Sequence, residues 1–390
     1  MSAVPEEPPP SDAVPDEPST FGAYRLADVV VSDLVSVTYR ASPLGDPQRG
    51  DVALRLVADR VRGNSRAVKG FLHVNQRIAE VDHPHLLQVV DVGTHDGTPY
   101  TATAWRNGLL LADLLLESAP LDAADTVRLC GQLAEALDTA HANGIVHGTV
   151  GLSTVWIKRR PGGRVPPSAA LTGFGTSHLL APIIHEVEDA EADRELLFVA
   201  PEQLNGEPAG PAADQYALAC TMFTMVTGTT PFRGESNNDL FGAHLFSAPP
   251  AASSVREGLA AGWDEVFATA LAKDPNDRYD NCRTLLLAAG QQTRRTGGRP
   301  SQRAETGEKV ERQPVPVRVE IDEDDDDESR RRTLRIVLLV LLVLALLAAA
   351  VGLMSDVGGA ETSGAETVGD TAMADGAPDP SVVDIDEDNA

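Results

Sequence analysis

A chain of 390 residues with 42% apolar and only 4% aromatic residues allows two or three structural units, one of them a domain of ordinary globular composition. The formal charge of −26 is concentrated: residues 6–17, 320–328 and 356–388 hold 23 of the 58 acidic residues and no Lys or Arg, leaving 35 acids against 32 bases. That balance gives the remainder no overall field for drawing in nucleic acid, and none is expected as a partner. Cys130, Cys220 and Cys282 lie far apart without metal-ligand or redox spacing and read as small buried hydrophobes in a reducing compartment.

Residues 1–20 are rich in Pro, Glu and Asp with almost no apolar content, which predicts a disordered segment; no charged and then apolar opening marks a cleavable signal peptide. Residues 21–290 alternate strand-like and helix-like patterns. Short runs at 51–57 and 86–93, bounded by Gly and Asp, read as strands. The stretch 122–143 reads as a helix: Asp122 suits the N-cap, Val127, Cys130, Leu133, Leu137 and His141 share one stripe, and Gly144 stands where a glycine ends a helix. Strands come first and helices dominate later, the pattern of an α+β chain with a small β-rich lobe before a larger helical one.

Residues 291–335 read as a linker of Arg, Gln, Gly, Thr and Pro that ends in an acidic block, extended by its own charge. Residues 336–354 are nineteen uncharged positions, mostly Leu, Val and Ala. As a helix they span roughly 29 Å, enough for a hydrocarbon core of about 30 Å. Arg330, Arg331, Arg332 and Arg335 precede them and no basic residue follows. The positive-inside rule therefore predicts a single-pass protein of the cytoplasmic membrane, residues 1–335 inside and a short acidic tail, 355–390, outside.

Several short segments, in order, resemble the landmarks of protein kinases. Gly144-Ile145-Val146-His147-Gly148-Thr149 is similar to the opening of the catalytic loop, and Leu171-Thr172-Gly173-Phe174-Gly175 stands where a kinase has D-F-G. Phe198-Val199-Ala200-Pro201-Glu202-Gln203 resembles the A-P-E closing the activation segment. Asp214 to Cys220, then Thr227-Gly228-Thr229-Thr230-Pro231-Phe232, resemble the buried helix after it; Lys273-Asp274-Pro275-Asn276-Asp277-Arg278-Tyr279 resembles the K-D-P-x-x-R-[YF] near the end of the domain. Asp82-His83-Pro84-His85-Leu86 resembles the segment after the αC helix, and Tyr24-Arg25-Leu26 the first strand. By these motifs residues 21–290 are identified as a member of the bacterial, actinobacterial-type, membrane-anchored Ser/Thr protein kinase family, with a bilobal fold followed by a linker and one transmembrane helix.

The resemblance implies structural roles: an ion pair between Glu202 and Arg278, an Asp214 that accepts from the catalytic-loop backbone, and an apolar spine containing His147 and Phe174. It also implies what is missing. The glycine-rich loop is matched by residues 26–35, which have no glycine but carry Asp28 and Asp33. The V-A-I-K lysine is matched by Arg55, and its helical carboxylate partner by Val74. Thr149 stands for the catalytic aspartate, Gly151 for the loop lysine, Thr154 for the metal-binding asparagine and Gly173 for the D-F-G aspartate. A hydroxyl cannot be the base that a carboxylate is, and Mg²⁺ lacks its usual oxygens. No Ser, Thr or Tyr lies between His178 and Val199, and residues 186–195 are acidic.

The expectation drawn from these replacements is a degenerate, catalytically inactive pseudokinase: a scaffold at the inner membrane face, not an enzyme, without ATP or Mg²⁺ as cofactor. Its partners would be the bilayer and a protein such as an active kinase or a forkhead-associated domain protein reading a phosphorylated Thr306. The alternative is an atypical Ser/Thr kinase or nucleotide-transferring enzyme with weak ATP binding, using relocated carboxylates among Asp28, Asp33, Glu191 and Asp193.

Overall fold

The computed structural model describes residues 19–45, 50–158, 168–187 and 196–296. Its first part is a six-stranded antiparallel sheet in the order β1-β2-β3-β4-β6-β5. The strands are β1 (Thr20–Phe21), β2 (Tyr24–Ser32), β3 (Ser36–Pro43), β4 (Val52–Val57), β5 (Val89–His95) and β6 (Thr98–Ala104); α1 (Asp59–Arg62) and α2 (Ser65–Ile78) lie between β4 and β5. Alternation along β4 sends Val52 and Leu54 into a small core with Tyr24, Ala41 and Ala102. Asn64 caps α2 through the Ala67 N–H (3.0 Å), and Ala67, Phe71, Asn75 and Ile78 form its buried stripe. The segment 86–88 departs from the expected strand: Leu86 makes an isolated bridge to Leu171, and only from Val89 does the chain pair with β6.

The second part is helical. It holds β7 (Leu109–Leu110), α3 (Leu111–Ser118), α4 (Ala123–Ala142), β8 (Val155–Lys158), β9 (Ser168–Leu171), α5 (Thr176–Leu180) and α6 (Pro201–Leu204). Then follow α7 (Pro211–Thr227), α8 (Asn237–Phe246), α9 (Ala252–Val255), α10 (Gly262–Ala270) and α11 (Cys282–Thr296). The strands β7-β8-β9 form a second antiparallel sheet. Asp122 caps α4 through the Ala124 N–H (2.8 Å). The buried face of α4 is broader than the sequence stripe: it adds Leu129, Ala136 and Ala140, whereas Val127 is only half-buried. Helix α7 is buried all round because α4, α10 and α11 pack against it, which is why its sequence shows no polar face.

Ionisable groups in this core are either paired or neutral. His244 has no exposed surface; it faces the Tyr216 hydroxyl at 3.0 Å, and burial first, then the nearby Lys273 cation, push its pKa down to about 3. Lys273 reaches the Ala243 and His244 carbonyls and sits 4.1 Å from the Phe232 ring centroid, with burial lowering its pKa to about 8. The three cysteines are buried and free, and burial pushes Cys130 up to about 12.

Among the described residues no helix is long and apolar enough to cross a membrane. The expected span at 336–354, the segment 1–18, Thr306 and the acidic tail lie outside the described residues, as do Glu191 and Asp193.

Candidate functional site

Between the sheet and the helical part lies a cleft of about 560 Å³, its open mouth included. Its walls include Val30 and Val31 from β2, Ala53 and Arg55 from β4, Thr101 and Thr103 from β6, Asn75 from α2, and Trp156, Gly173 and Phe174 from below. Three buried polar atoms on its walls have no hydrogen-bond partner among the described residues: Thr38 Oγ1, Thr101 Oγ1 and Trp156 Nε1. Buried polar groups are normally satisfied, so their concentration here marks a surface suited to a polar ligand.

The turn matching the glycine-rich loop is closed by Asp33. Its carboxylate accepts from the Val35 N–H (2.9 Å), the Ser36 N–H (2.7 Å) and the Ser36 hydroxyl (2.8 Å), while Asp28 is exposed on β2. Neither lines the cleft, so neither stands there as the relocated carboxylate considered from the sequence.

Arg55 is 6% exposed and donates through Nη1 to Thr176 Oγ1 at 2.6 Å. Thr176 in turn donates to the Gly173 carbonyl at 2.8 Å. Arg55 forms no ion pair among the described residues, and no carboxylate lines the cleft. Val74 was expected opposite Arg55; α2 instead turns Asn75 into the cleft. The Asn75 amide bridges the Phe71 carbonyl and the Phe174 carbonyl, both at 2.9 Å, so it ties α2 to the segment below rather than meeting the guanidinium.

The catalytic-loop positions are filled from neighbouring elements. Gly148 has φ +77°, and a Cβ there would stand 2.6 Å from the Ser177 Cβ, so Ser177 occupies the room of the side chain that is gone. A Cβ on Gly151 would come 3.2 Å from the Phe198 ring. Thr149 Oγ1 is buried without a partner, whereas Thr154 Oγ1 accepts from the Gly151 N–H at 2.9 Å and stabilises the loop. Gly173 has φ +86°; a Cβ there would lie 3.0 Å from Thr154 Cγ2 and 3.4 Å from both Arg55 Nη atoms.

Around this site the supporting bonds are complete. Asp214, fully buried, accepts from the His147 N–H (2.9 Å), the Gly148 N–H (2.6 Å) and His141 Nε2 (2.7 Å). His147 Nε2 donates to the Thr172 carbonyl at 2.8 Å, the ring stacks 4.4 Å from Phe174, and burial holds its pKa below the usual histidine range. Glu202 and Arg278 form a two-pronged pair, Nη1 to Oε1 at 2.7 Å and Nη2 to Oε2 at 2.8 Å. Asp138, His141 and Cys282 bring three possible ligand atoms within 4.8 Å of one another. Both Asp138 oxygens, however, accept N–H groups at the start of α11, and His141 is held by Asp214.

Residues 48–285 match the family described as the protein kinase domain. The chain belongs to that family. Its matches include serine/threonine-protein kinase PknD of Mycobacterium tuberculosis, 29% identical over 281 residues, covering 72% of this chain and 41% of that one. PknE of Mycobacterium bovis is 30% identical over 278 residues, covering 70% of this chain and 46% of that one. The chain thus spans less than half the length of these curated relatives. The crystal structure of the M. tuberculosis PknI kinase domain aligns with TM-score 0.56 and 26% identity, over 71% of this chain and 98% of that one.

Membership corrects three expectations drawn from the missing side chains. The domain was expected to be catalytically inactive, a scaffold rather than an enzyme; its matched relatives are named serine/threonine-protein kinases. The expectation of no cofactor falls with it, because protein kinases work with ATP and Mg²⁺. The physical reason is that each replacement was weighed as a loss, without what stands in its place. Phosphoryl transfer rests mainly on positioning and charge stabilisation, and Arg55 brings a fixed positive charge to the cleft. The chemistry of the lining suits an anionic, polar ligand such as a nucleotide: a cation and orphaned polar atoms stand on the cleft wall. The residues do not fit a protein-held Mg²⁺, since Thr154 and Gly173 bring no carboxylate and the Arg55 guanidinium lies beside Gly173.

The sequence singled out Arg55, Thr149, Thr154 and Gly173, and the structure brings Arg55, Thr154 and Gly173 together. It assigned no role at the site to Asn75, Thr176, Ser177, Trp156 or Phe198, the last of which it named only within the A-P-E segment. Only Trp156 left a signal, a large aromatic on the strand that directly follows the catalytic-loop motif.

Proposed function

We propose that this chain is an atypical serine/threonine protein kinase, binding a nucleotide weakly in its cleft and transferring a phosphoryl group slowly. The observation that supports it is Arg55, a buried guanidinium facing the cleft without a carboxylate partner. A buried unpaired cation is costly, and an anionic ligand relieves that cost. The family's other charge-neutralising groups are replaced, so the phosphates would rest on Arg55 and the orphaned hydroxyls. With Thr149 in place of a carboxylate base, the acceptor's proton passes to the transferred phosphoryl oxygens. Loss of a general base removes about 10²–10⁴ from a rate of about 1–100 s⁻¹, so turnover of about 1 s⁻¹ or far below is expected. The full-length chain incubated with γ-labelled and, separately, α-labelled ATP tests this reading. Incorporation of γ label into protein, lost in Arg55→Met, supports it; incorporation of α label alone would reassign the chain as a nucleotidyl transferase, and neither label overturns it.

The domain is further proposed to sit at the inner face of the cytoplasmic membrane on one helix at 336–354, with Thr306 in the linker a candidate acceptor for a kinase in trans. The uncharged stretch and its four preceding arginines support this. Retention in the membrane fraction after alkaline carbonate washing, lost when 336–354 is deleted, is the expected result.

A further inference from the structure

A nucleotide site has to neutralise phosphate charge. In kinases, metal ions held by protein oxygens do so. In this chain Arg55 stands beside one of the two corresponding positions: a side chain at Gly173 would meet Nη1 and Nη2 at 3.4 Å, and Thr154 Cγ2, at the other position, at 3.0 Å. The guanidinium has five donors, and among the described residues its one hydrogen bond, to Thr176, runs from Nη1. The remaining donors match a phosphate in the two-pronged manner arginine favours. The Thr38 and Thr101 hydroxyls, unpartnered on the same cleft wall, add further donors for a polar ligand.

We infer that the cleft takes a nucleoside triphosphate without divalent metal, its phosphates held by the Arg55 guanidinium. The inference rests on the nucleotide-binding reading above and specifies the form of the ligand. A metal-bound triphosphate has part of its charge already cancelled and brings a cation toward Arg55, with no carboxylate on the cleft wall to receive it. The metal-free form is attracted more strongly, so chelation should strengthen binding, the reverse of a metal-dependent site.

Trp156 lines the cleft and meets Trp105 edge-on at 5.3 Å, so tryptophan emission of the full-length chain reports occupancy. ATP is titrated in EDTA and, separately, in excess MgCl₂, with adenosine as a second probe. The expected result is saturable quenching in EDTA with a Kd equal to or lower than in MgCl₂. Arg55→Met weakens ATP binding in EDTA by about tenfold or more, Arg55→Lys weakens it less, and adenosine binding is unchanged in both, which also shows that the cleft still forms. ATP binding seen only with MgCl₂, or EDTA binding indifferent to both Arg55 substitutions, overturns the inference while leaving the nucleotide-binding reading intact. No ATP binding in either buffer overturns both.

Discussion

Two arginines of this fold, Arg278 and Arg55, are equally buried at 6% exposure and face opposite situations. Arg278 meets both oxygens of Glu202 and three backbone carbonyls. Arg55 has a threonine hydroxyl and an open cleft. A buried charge whose partner lies within the fold supports the fold; one whose partner is missing from the fold is available to a ligand. The Glu202–Arg278 pair and the Asp214 bonds keep the lower lobe in kinase form, while among the described residues the cleft is lined by a cation and no carboxylate.

Substitutions can break that comparison. Glu202→Gln should be the most damaging, destabilising the chain by about 3–5 kcal/mol in urea titration because the Arg278 charge loses its counter-charge. A cost below about 1 kcal/mol would mean that the pair is not a support of the fold.

Histidine offers a third arrangement, since it can become neutral. His244 has a folded pKa of about 3 against an ordinary value of 6.5, so between those limits the unfolded chain binds more protons than the folded one. Stability from this group is therefore present above pH 6.5 and lost as pH falls toward 3. His147 and His178, also lowered by burial, act in the same direction. Melting temperatures should fall steeply from pH 6.5 to pH 4, by the equivalent of roughly 3 kcal/mol for His244 alone. Replacing His244 with Phe should flatten that slope.

Arg55→Met should carry the opposite sign to Glu202→Gln. Without nucleotide it should stabilise the chain by about 1 kcal/mol in the same titration, since an apolar side chain replaces an unpaired buried cation. Destabilisation of the size seen for Glu202→Gln would place Arg55 among the structural charges instead.

Gly173→Asp should have the smallest effect on stability, within about 1 kcal/mol of zero. Strain at φ +86° opposes the gain of a carboxylate beside Arg55. Its value lies in the ligand response: pairing Arg55 inside the fold should abolish nucleotide binding in EDTA.

Much of the fold was legible in the sequence because its landmarks are local and fixed in order. The Asp122 cap, the end of α4 before Gly144 and the positions of Glu202, Asp214 and Arg278 each follow from a short segment of chain. The cleft was less legible. Which of Val74 and Asn75 faces Arg55 depends on a rotation of α2 set by packing across the sheet. Ser177 and Phe198 fill space left by Gly148 and Gly151 from distant parts of the chain, and no spacing rule announces them. Sequence alone showed which carboxylates are absent and that Arg55 keeps a positive charge, but not where that charge lies relative to the vacated positions; the step from absence to inactivity is overturned by the named kinases the chain matches.

One contact at the back of the cleft has a mechanical consequence. Gly70 of α2 lies against His178 of α5 so closely that a Cβ would come 2.7 Å from the imidazole, and Asn75 clamps the same helix to the Phe174 carbonyl. Two fasteners along α2, less than two turns apart, tie it to the segment 174–178 and make α2 and α5 a hinge plate. Any breathing of the upper lobe that opens the cleft then has to pull α5 along or slide on both bolts at once. A bulkier residue at position 70 would act as a wedge in that hinge, altering how far the lobes part without touching any atom that lines the cleft.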